Sequence, residues 1–530
     1  MDRPVNMQFL ELPGDILVEI SSFLLVKPKA FELNKVSKPF AMWDMPDLSD
    51  LHRVALTCRI LRDLTQSLRF RYVCCTSWKS IRNIDTYLEL HPEKSSMVRY
   101  LWLRRPGFLE TQNRLLVGSV LQRLHSLEAF QAAFRGYLDA PTLATLATST
   151  DLRYVWLDCD LIQTDPIPAF AELRLTSLHL GILKLHHDSN RDVLPLHDIL
   201  LGQTQHTLKH LELSCFSGGT IGTGELMLSQ FLPKQLSLPV LEVLSVTGKI
   251  RVDVNVLAAL SGDMPKLELL NSGTVIANAI DYFGKGTWTS LKRLHLGHFV
   301  SFGTSDDNIA HEQIIAKAPE LCELRIGNIS VPSALRVFGQ EVYSSPLRHL
   351  RAVTLYIQLI PQETEIEAQD LVRIFQGIPS AERLTILSAS YGAPMYRKNW
   401  TIDIPSLASA LGKLQCLQEF ELDPRLISDD AEMLPNGDLA DPATIAWRER
   451  HEQLYKSSTA AMARNCPSLR QVIWGLGFPF IVWRGIISFQ TGMVGADEPG
   501  VEMYLERRSR SGASWKMRVF EALEQLEIRG

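Results

Sequence analysis

One short pattern recurs along most of this chain: an apolar residue, two variable ones, a second apolar residue, and often a third two positions later. It stands in Val98-Arg99-Tyr100-Leu101-Trp102-Leu103, in Leu152-Arg153-Tyr154-Val155-Trp156-Leu157 and in Leu175-Thr176-Ser177-Leu178-His179-Leu180. It returns at Leu208–Leu213, Leu241–Val246, Leu291–Leu296, Leu321–Ile326 and Leu417–Leu422, and more weakly near Leu127, Leu267, Leu347, Leu384 and Leu469. Most of these anchors lie about 23 to 36 residues apart, the period of a stacked repeat rather than of a single globular core. Alternation over the last three residues of each unit predicts a short strand with one face buried. The segments between, such as Thr142–Ala147 and Asn255–Leu260, have helical spacing. Stacked strand-plus-helix units follow, an α/β fold class.

The composition, 46% hydrophobic and 21% charged, is that of an ordinary folded chain. A net charge of −5 argues against a protein built to coat nucleic acid, and the basic stretch Arg507-Arg508-Ser509-Arg510 reads as a solvated loop. The cysteines are scattered, with only Cys74 and Cys75 adjacent, which is not metal-binding spacing. The N-terminus lacks a signal-peptide run, and no apolar stretch reaches the ~18 residues of a membrane span. A cytosolic or nuclear protein is expected, with no membrane partner, in which the sequons at Asn328 and Asn399 are chance.

The first 75 residues form a different module. Ile16, Ile20, Phe23 and Leu24 fall on one helical stripe, with Pro13 suited to the first turn. A second stripe, Leu51, Val54, Cys58, Leu61 and Leu64, predicts one helix over about 47–64, with Ser49 or Asp50 as its cap.

Together these segments, Leu12-Pro13-x-Asp15-Ile16-Leu17-x-x-Ile20-x-x-Phe23-Leu24 and Asp50-Leu51-x-x-Val54-Ala55-Leu56-Thr57-Cys58-Arg59-x-Leu61-Arg62, resemble the F-box. In that family the motif docks on the Skp adaptor of cullin-RING ubiquitin ligases. The resemblance implies a docking surface from Leu12, Pro13, Ile16, Leu17, Ile20, Leu24, Leu51, Val54, Leu56 and Leu61. An inserted stretch at about 26–46 separates the two halves by more than the family usually has.

The later units resemble leucine-rich repeats, which implies a parallel sheet on a concave face with helices outside. They depart from the tidy pattern: Leu183, Phe216, Phe299 and Ile329 occupy positions where many members carry Asn, and about fifty residues separate Leu417 from Leu469. The domain organisation expected is an F-box over 1–75, an irregular leucine-rich-repeat solenoid over 76–480, and a C-terminal cap over 481–530, where Gly500–Glu506 alternates like a strand and Trp515–Ile528 looks helical. Acidic and turn residues between Asp423 and Glu449 predict a functional loop or lid.

That order of parts is the layout of F-box adaptors, so the function expected is substrate recognition for a Skp-cullin-F-box ligase. The protein substrate would be held by residues exposed on the strands: Trp102, Trp156, His179, Glu212, His295 and Arg325. The alternative is a leucine-rich-repeat scaffold without a ligase role, its N-terminal helices a mere cap.

An enzyme is the reading with least support. His186-His187-Asp188 is an isolated polar cluster, and His206 with His210 lacks the intervening Glu of a zinc protease. The glycine-rich run Ser217–Glu225 lacks the Lys and hydroxyl of a P-loop and the spacing of a dinucleotide fingerprint. No catalytic residue, metal or cofactor is expected.

Overall fold

The fold is described from a computed structural model. It describes residues 17–18, 21, 49–108, 111–138, 140–160, 168–182, 200–215, 226–227, 236–248, 250–253, 266–270, 276–277, 288–296, 315, 317–339, 347, 349–358, 368–388, 403–422, 442–475, 481–488 and 499–507. The chain divides into two compact units, one of residues 1–262 and 273–277, the other of 263–272 and 278–530.

The first unit begins with short helices. α1 (Ser49–Thr57) and α2 (Arg59–Leu64) replace the single helix expected over 47–64. The break is at Cys58, which is extended (φ −156, ψ 163) and whose Sγ accepts from the Leu61 N–H at 3.5 Å, capping the second helix. α3 (Gln66–Arg71) follows and leads into strand β1 (Tyr72–Cys75), so the sheet starts inside the segment assigned to the N-terminal module. α4 (Trp78–Leu90) opens with a Ser77–Ser80 capping box. Phe70 stacks on Tyr87, 5.5 Å between ring centres, and Lys94 Nζ donates to Gln66 Oε1 at 2.9 Å, tying α3 to the first coil.

From there each coil contributes a strand and returns. The strands are β2 (Tyr100–Phe108), β3 (Ala129–Tyr137), β4 (Tyr154–Asp160), β5 (Ser177–Ile182), β6 (His210–Cys215), β7 (Leu226–Met227), β8 (Val243–Gly248) and β9 (Ile250–Asp253). β1 to β6 and then β8 lie side by side, all parallel. The returns are α5 (Thr111–Arg123) and α6 (Ala140–Leu146), then 3₁₀ turns at Pro168–Glu172 and Gln203–His206. α6 covers most of Thr142–Ala147, which the spacing predicted to be helical; Asn255–Leu260, predicted likewise, lies outside the described residues. Past β10 (Lys266–Leu270), which belongs to the second unit, β11 (Ile276–Ala277) pairs with β9, and β9 with β7, in a small side sheet.

The second unit repeats the plan with β10, β12 (Arg293–Leu296), β13 (Glu323–Ser330), β14 (Ala352–Gln358), β15 (Arg383–Ser388), β16 (Glu419–Leu422) and β17 (Gln471–Gly475), parallel in that order. Its returns include α7 (Val331–Phe338), α8 (Ala368–Gln376), α9 (Ile404–Leu411) and α10 (Pro442–Asn465). β18 (Ile481–Ser488) and β19 (Gly500–Arg507) then turn antiparallel and extend the sheet as a hairpin. The loop expected between 423 and 449 is helical from Pro442 onward, because proline fits the first turn of a helix; residues 423–441 and 515–528 lie outside the described residues.

Register explains why the leucines recur. Leu101, Phe130, Val155, Leu178, Leu211 and Leu244 are aligned by the strand pairing and buried, as are Leu103, Ala132, Leu157, Leu180, Leu213 and Val246 two residues on. A third anchor sits three residues before the unit. The N–H of Leu241 bonds the Leu238 carbonyl, Leu291 that of Trp288, Leu321 that of Ala318 and Leu469 that of Cys466, so these coils enter their strands through one tight turn. One carbonyl then takes two N–H groups from the next coil: Arg153 O from Thr176 and Ser177, Arg351 O from Glu382 and Arg383. Where a 3₁₀ turn replaces a helix, buried Thr204 closes the gap, donating to Leu173 O at 2.8 Å and accepting from Leu175 N at 3.3 Å.

Each unit is therefore a mixed α/β stack with a parallel sheet, the repeat architecture expected from leucine-rich units. Among the described residues no helix is long and apolar enough to cross a membrane.

Candidate functional site

Between the two buried residues of each strand, one side chain points to the opposite face of the sheet. In the first unit the pairing brings these together in a row: Cys74, Trp102, Gln131, Trp156, His179, Glu212 and Ser245. In the second the row is His295, Arg325, Thr354, Thr385, Glu421 and Ile473, continued over the hairpin by Arg484 and Tyr504. All six residues read from sequence as substrate-binding thus fall in these rows. Gln131 and Ser245 were missed, although each is the central residue of its unit, in Phe130-Gln131-Ala132 and Leu244-Ser245-Val246.

The rows are not freely exposed. His179 (3% exposed) and His295 (1%) are buried, which corrects the expectation that they stand out from the face. Each is held by a carboxylate of the neighbouring strand: His179 Nδ1 lies 3.2 Å from Glu212 Oε2, and His295 Nε2 lies 2.9 Å from Glu323 Oε1. The His179 ring also stacks on Trp156 with ring centres 3.9 Å apart. Arg293 adds a contact to the other oxygen of Glu323 at 3.5 Å. Arg325 donates to the Tyr356 hydroxyl, its guanidinium 5.1 Å from that ring's centre.

Two residues before the row, Tyr72 and Tyr100 stack with centres 4.7 Å apart, and Arg71 sits 5.6 Å over Tyr100. The Tyr100 hydroxyl donates to Glu128 Oε2 at 3.2 Å, and burial together with that carboxylate pushes its pKa up to about 12. Burial raises the Cys74 thiol and pushes Cys75 to about 11. The rows offer flat rings, hydrogen-bonding groups and fixed ion pairs.

The N-terminal residues divide. Leu17, Leu51 and Leu61, expected in the docking surface, are buried within the chain. Ala55 and Leu68 are buried as well. Val54 is half-buried. Leu56 is 81% exposed and Ile60, four residues on, is 55% exposed. Leu12, Pro13, Ile16, Ile20 and Leu24 lie outside the described residues.

His186, His187, Asp188 and the glycine-rich run at 217–225 are also outside them. His206 ends a 3₁₀ turn and His210 begins β6, so their spacing is not that of one helix face. Among the described residues no three His, Cys, Asp or Glu side chains gather as metal ligands would.

No protein-family model matches the chain, and no curated protein matches it. Among solved structures it is similar to an internalin (inlF) from Listeria monocytogenes, at 14% identity over 71% of this chain and 94% of that one, with a TM-score of 0.33. It is similar to TLR13, solved as a TLR13-ssRNA13 complex, at 16% identity over 63% of this chain and 41% of that one, with a TM-score of 0.28. It is also similar to PEPR1, solved as PEPR1-AtPEP1, at 12% identity over 63% of this chain and 59% of that one, with a TM-score of 0.21.

Proposed function

We propose that this chain is a substrate-recognition adaptor of a Skp-cullin-F-box ubiquitin ligase: the N-terminal helices hold the Skp adaptor, and the repeat face holds a protein target. The adaptor does no covalent chemistry. It raises the effective concentration of the target beside the ubiquitin-charged partner and orients the lysines.

The observation that carries this reading is the exposure of Leu56 and Ile60. Both lie inside the segment that resembles the F-box, where the neighbouring leucines are buried. Two large apolar side chains so exposed favour a partner that covers them. The order of parts supports it too, since the module precedes a repeat body whose strands present aromatic and charged residues in rows.

A second reading, a repeat scaffold without a ligase role, is favoured by the burial of Leu17, Leu51 and Leu61 and by the ties from α3 to the first coil. Those features are what a cap over the first strand needs. Co-elution of the purified full chain with a Skp adaptor in gel filtration separates the two. The adaptor reading expects one complex, lost in a Leu56→Asp/Ile60→Asp variant of unchanged circular dichroism; a wild-type chain that elutes alone favours the scaffold.

A further inference from the structure

The last strands of the second unit leave apolar side chains in the open. In the hairpin, Ile486 is 37% exposed and Tyr504 46% exposed, although Ile487 and Val501 beside them are buried. The exposed pair rises from the face of the sheet that carries the row, because Ile486 lies two residues from Arg484 and Tyr504 is itself a row member. The opposite face of the hairpin is the one covered by α10, where Gly485 meets Thr459.

Strand pairing sets Glu419, Gln471, Ile486 and Glu502 in line across β16, β17, β18 and β19. Neighbouring strands lie about 4.8 Å apart, so the two glutamates are rooted about 14 Å from each other, with Ile486 between them. Glu419 is exposed and has no ion pair among the described residues. Glu502 is exposed and accepts from the Tyr504 hydroxyl. The other charges of this surface are less accessible: Arg383, Glu421 and Arg484 are half-buried, and the Arg470 guanidinium, beside Gln471, donates to the Pro467 and Leu469 carbonyls. The charge offered to a partner around the open isoleucine is therefore negative.

We propose that this surface seats an extended segment of a partner protein that carries a basic residue, an apolar residue two positions on, and a second basic residue two positions further. Side chains at i, i+2 and i+4 of an extended chain share one side, and at about 3.3 Å per residue the outer two span about 13 Å, close to the separation of Glu419 and Glu502. One cation pairs with Glu419. The apolar side chain covers Ile486 and takes its surface out of water. The other cation pairs with Glu502 beside the exposed Tyr504 ring, whose face also attracts it. An acidic segment meets like charge at both ends, and a segment without the middle apolar residue leaves Ile486 wet. The proposal deepens the reading of the repeat face as a protein-binding surface, and rests on the adaptor reading only for the partner being a ligase target.

The test is fluorescence anisotropy of the full chain with a labelled peptide containing Lys-Ser-Leu-Ser-Lys, beside matched peptides containing Glu-Ser-Leu-Ser-Glu or Lys-Ser-Ser-Ser-Lys. The first should bind saturably and more weakly as salt rises, and the other two at least tenfold more weakly. Glu419→Lys/Glu502→Lys should lose the basic peptide by at least tenfold and take up the acidic one, a gain that an unfolded chain does not give. Ile486→Ser should bind the leucine peptide no better than the wild type binds the all-serine one. Glu93→Lys, which reverses an exposed charge in the first unit, should leave binding unchanged. No saturable binding by the wild type, equal binding of the acidic peptide, or a double variant that keeps the basic peptide would overturn the proposal, as would an equal loss in Glu93→Lys. No Skp adaptor takes part, so a chain that fails to bind Skp yet discriminates the peptides loses the ligase reading and keeps this surface.

Discussion

The imidazole of His179 lies against the indole of Trp156, with ring centres 3.9 Å apart and planes 21° from parallel. Its Nδ1 reaches the Glu212 carboxylate of the next strand at 3.2 Å, so one side chain links three consecutive coils. His179→Ala removes both contacts and leaves the half-buried carboxylate without the imidazole. The expected loss is about 2 kcal/mol of stability in urea unfolding of the full chain. A variant as stable as wild type would show that the stack is incidental.

Two glycines stand where one backbone passes close to another. A Cβ on Gly377 would stand 2.0 Å from the Phe338 carbonyl oxygen, and one on Gly202 would stand 2.3 Å from that of Ala171. Gly377→Ala must push two coils apart, and about 2 kcal/mol of destabilisation is expected for such overpacking. Gly118→Ala, which meets only the Thr142 hydroxyl at 3.5 Å, is the control and should unfold near the wild-type midpoint.

The long helix α10 is tied to β17 by a buried hydrogen bond, in which Trp474 Nε1 donates to Thr459 Oγ1 at 3.0 Å. Trp474→Phe should cost about 1 to 3 kcal/mol, through the lost bond and the smaller ring. A double-mutant cycle with Thr459→Val tests it, and strictly additive losses would mean that the bond contributes nothing.

The Cys75 thiol, pushed to about 11 by burial, makes stability depend on alkaline pH. A thiol with a raised folded pKa keeps its proton longer when folded than when unfolded. Its contribution is full below the unfolded value near 9 and is lost as pH rises toward 11. Cys75→Ala should flatten the decline in stability over that window. An unaltered pH profile would place the decline elsewhere.

Much of the body could be read from the sequence, because a strand buried on one face must alternate and a stack must repeat. The units at Leu152, Leu175, Leu208, Leu241, Leu291, Leu321 and Leu417 all became strands of the parallel ladders. What could not be read depends on neighbours distant in sequence. His179 and His295 look like surface residues within their own units, and they are buried because the strands beside them supply Glu212 and Glu323. The helix break at Cys58 was hidden by an unbroken apolar stripe, since the pattern reports which face is buried and not whether the backbone stays helical between. The run up to Glu449 looked like a loop from its turn residues, yet proline at 442 starts a helix rather than ending one. The missed members of the row, Gln131 and Ser245, were visible only by aligning the units on their buried leucines.

The most direct test of the account is the affinity of the purified full chain for a Skp adaptor, measured by calorimetry for the wild type and for Leu56→Asp/Ile60→Asp. Both sites are exposed, so the substitutions should change folding stability by no more than about 0.5 kcal/mol each, while a carboxylate buried at an apolar interface costs several kcal/mol. The account predicts a saturable heat for the wild type and a loss of roughly a hundredfold or more in the variant. A well-folded wild type that gives no heat, or a variant that binds as tightly, would contradict it.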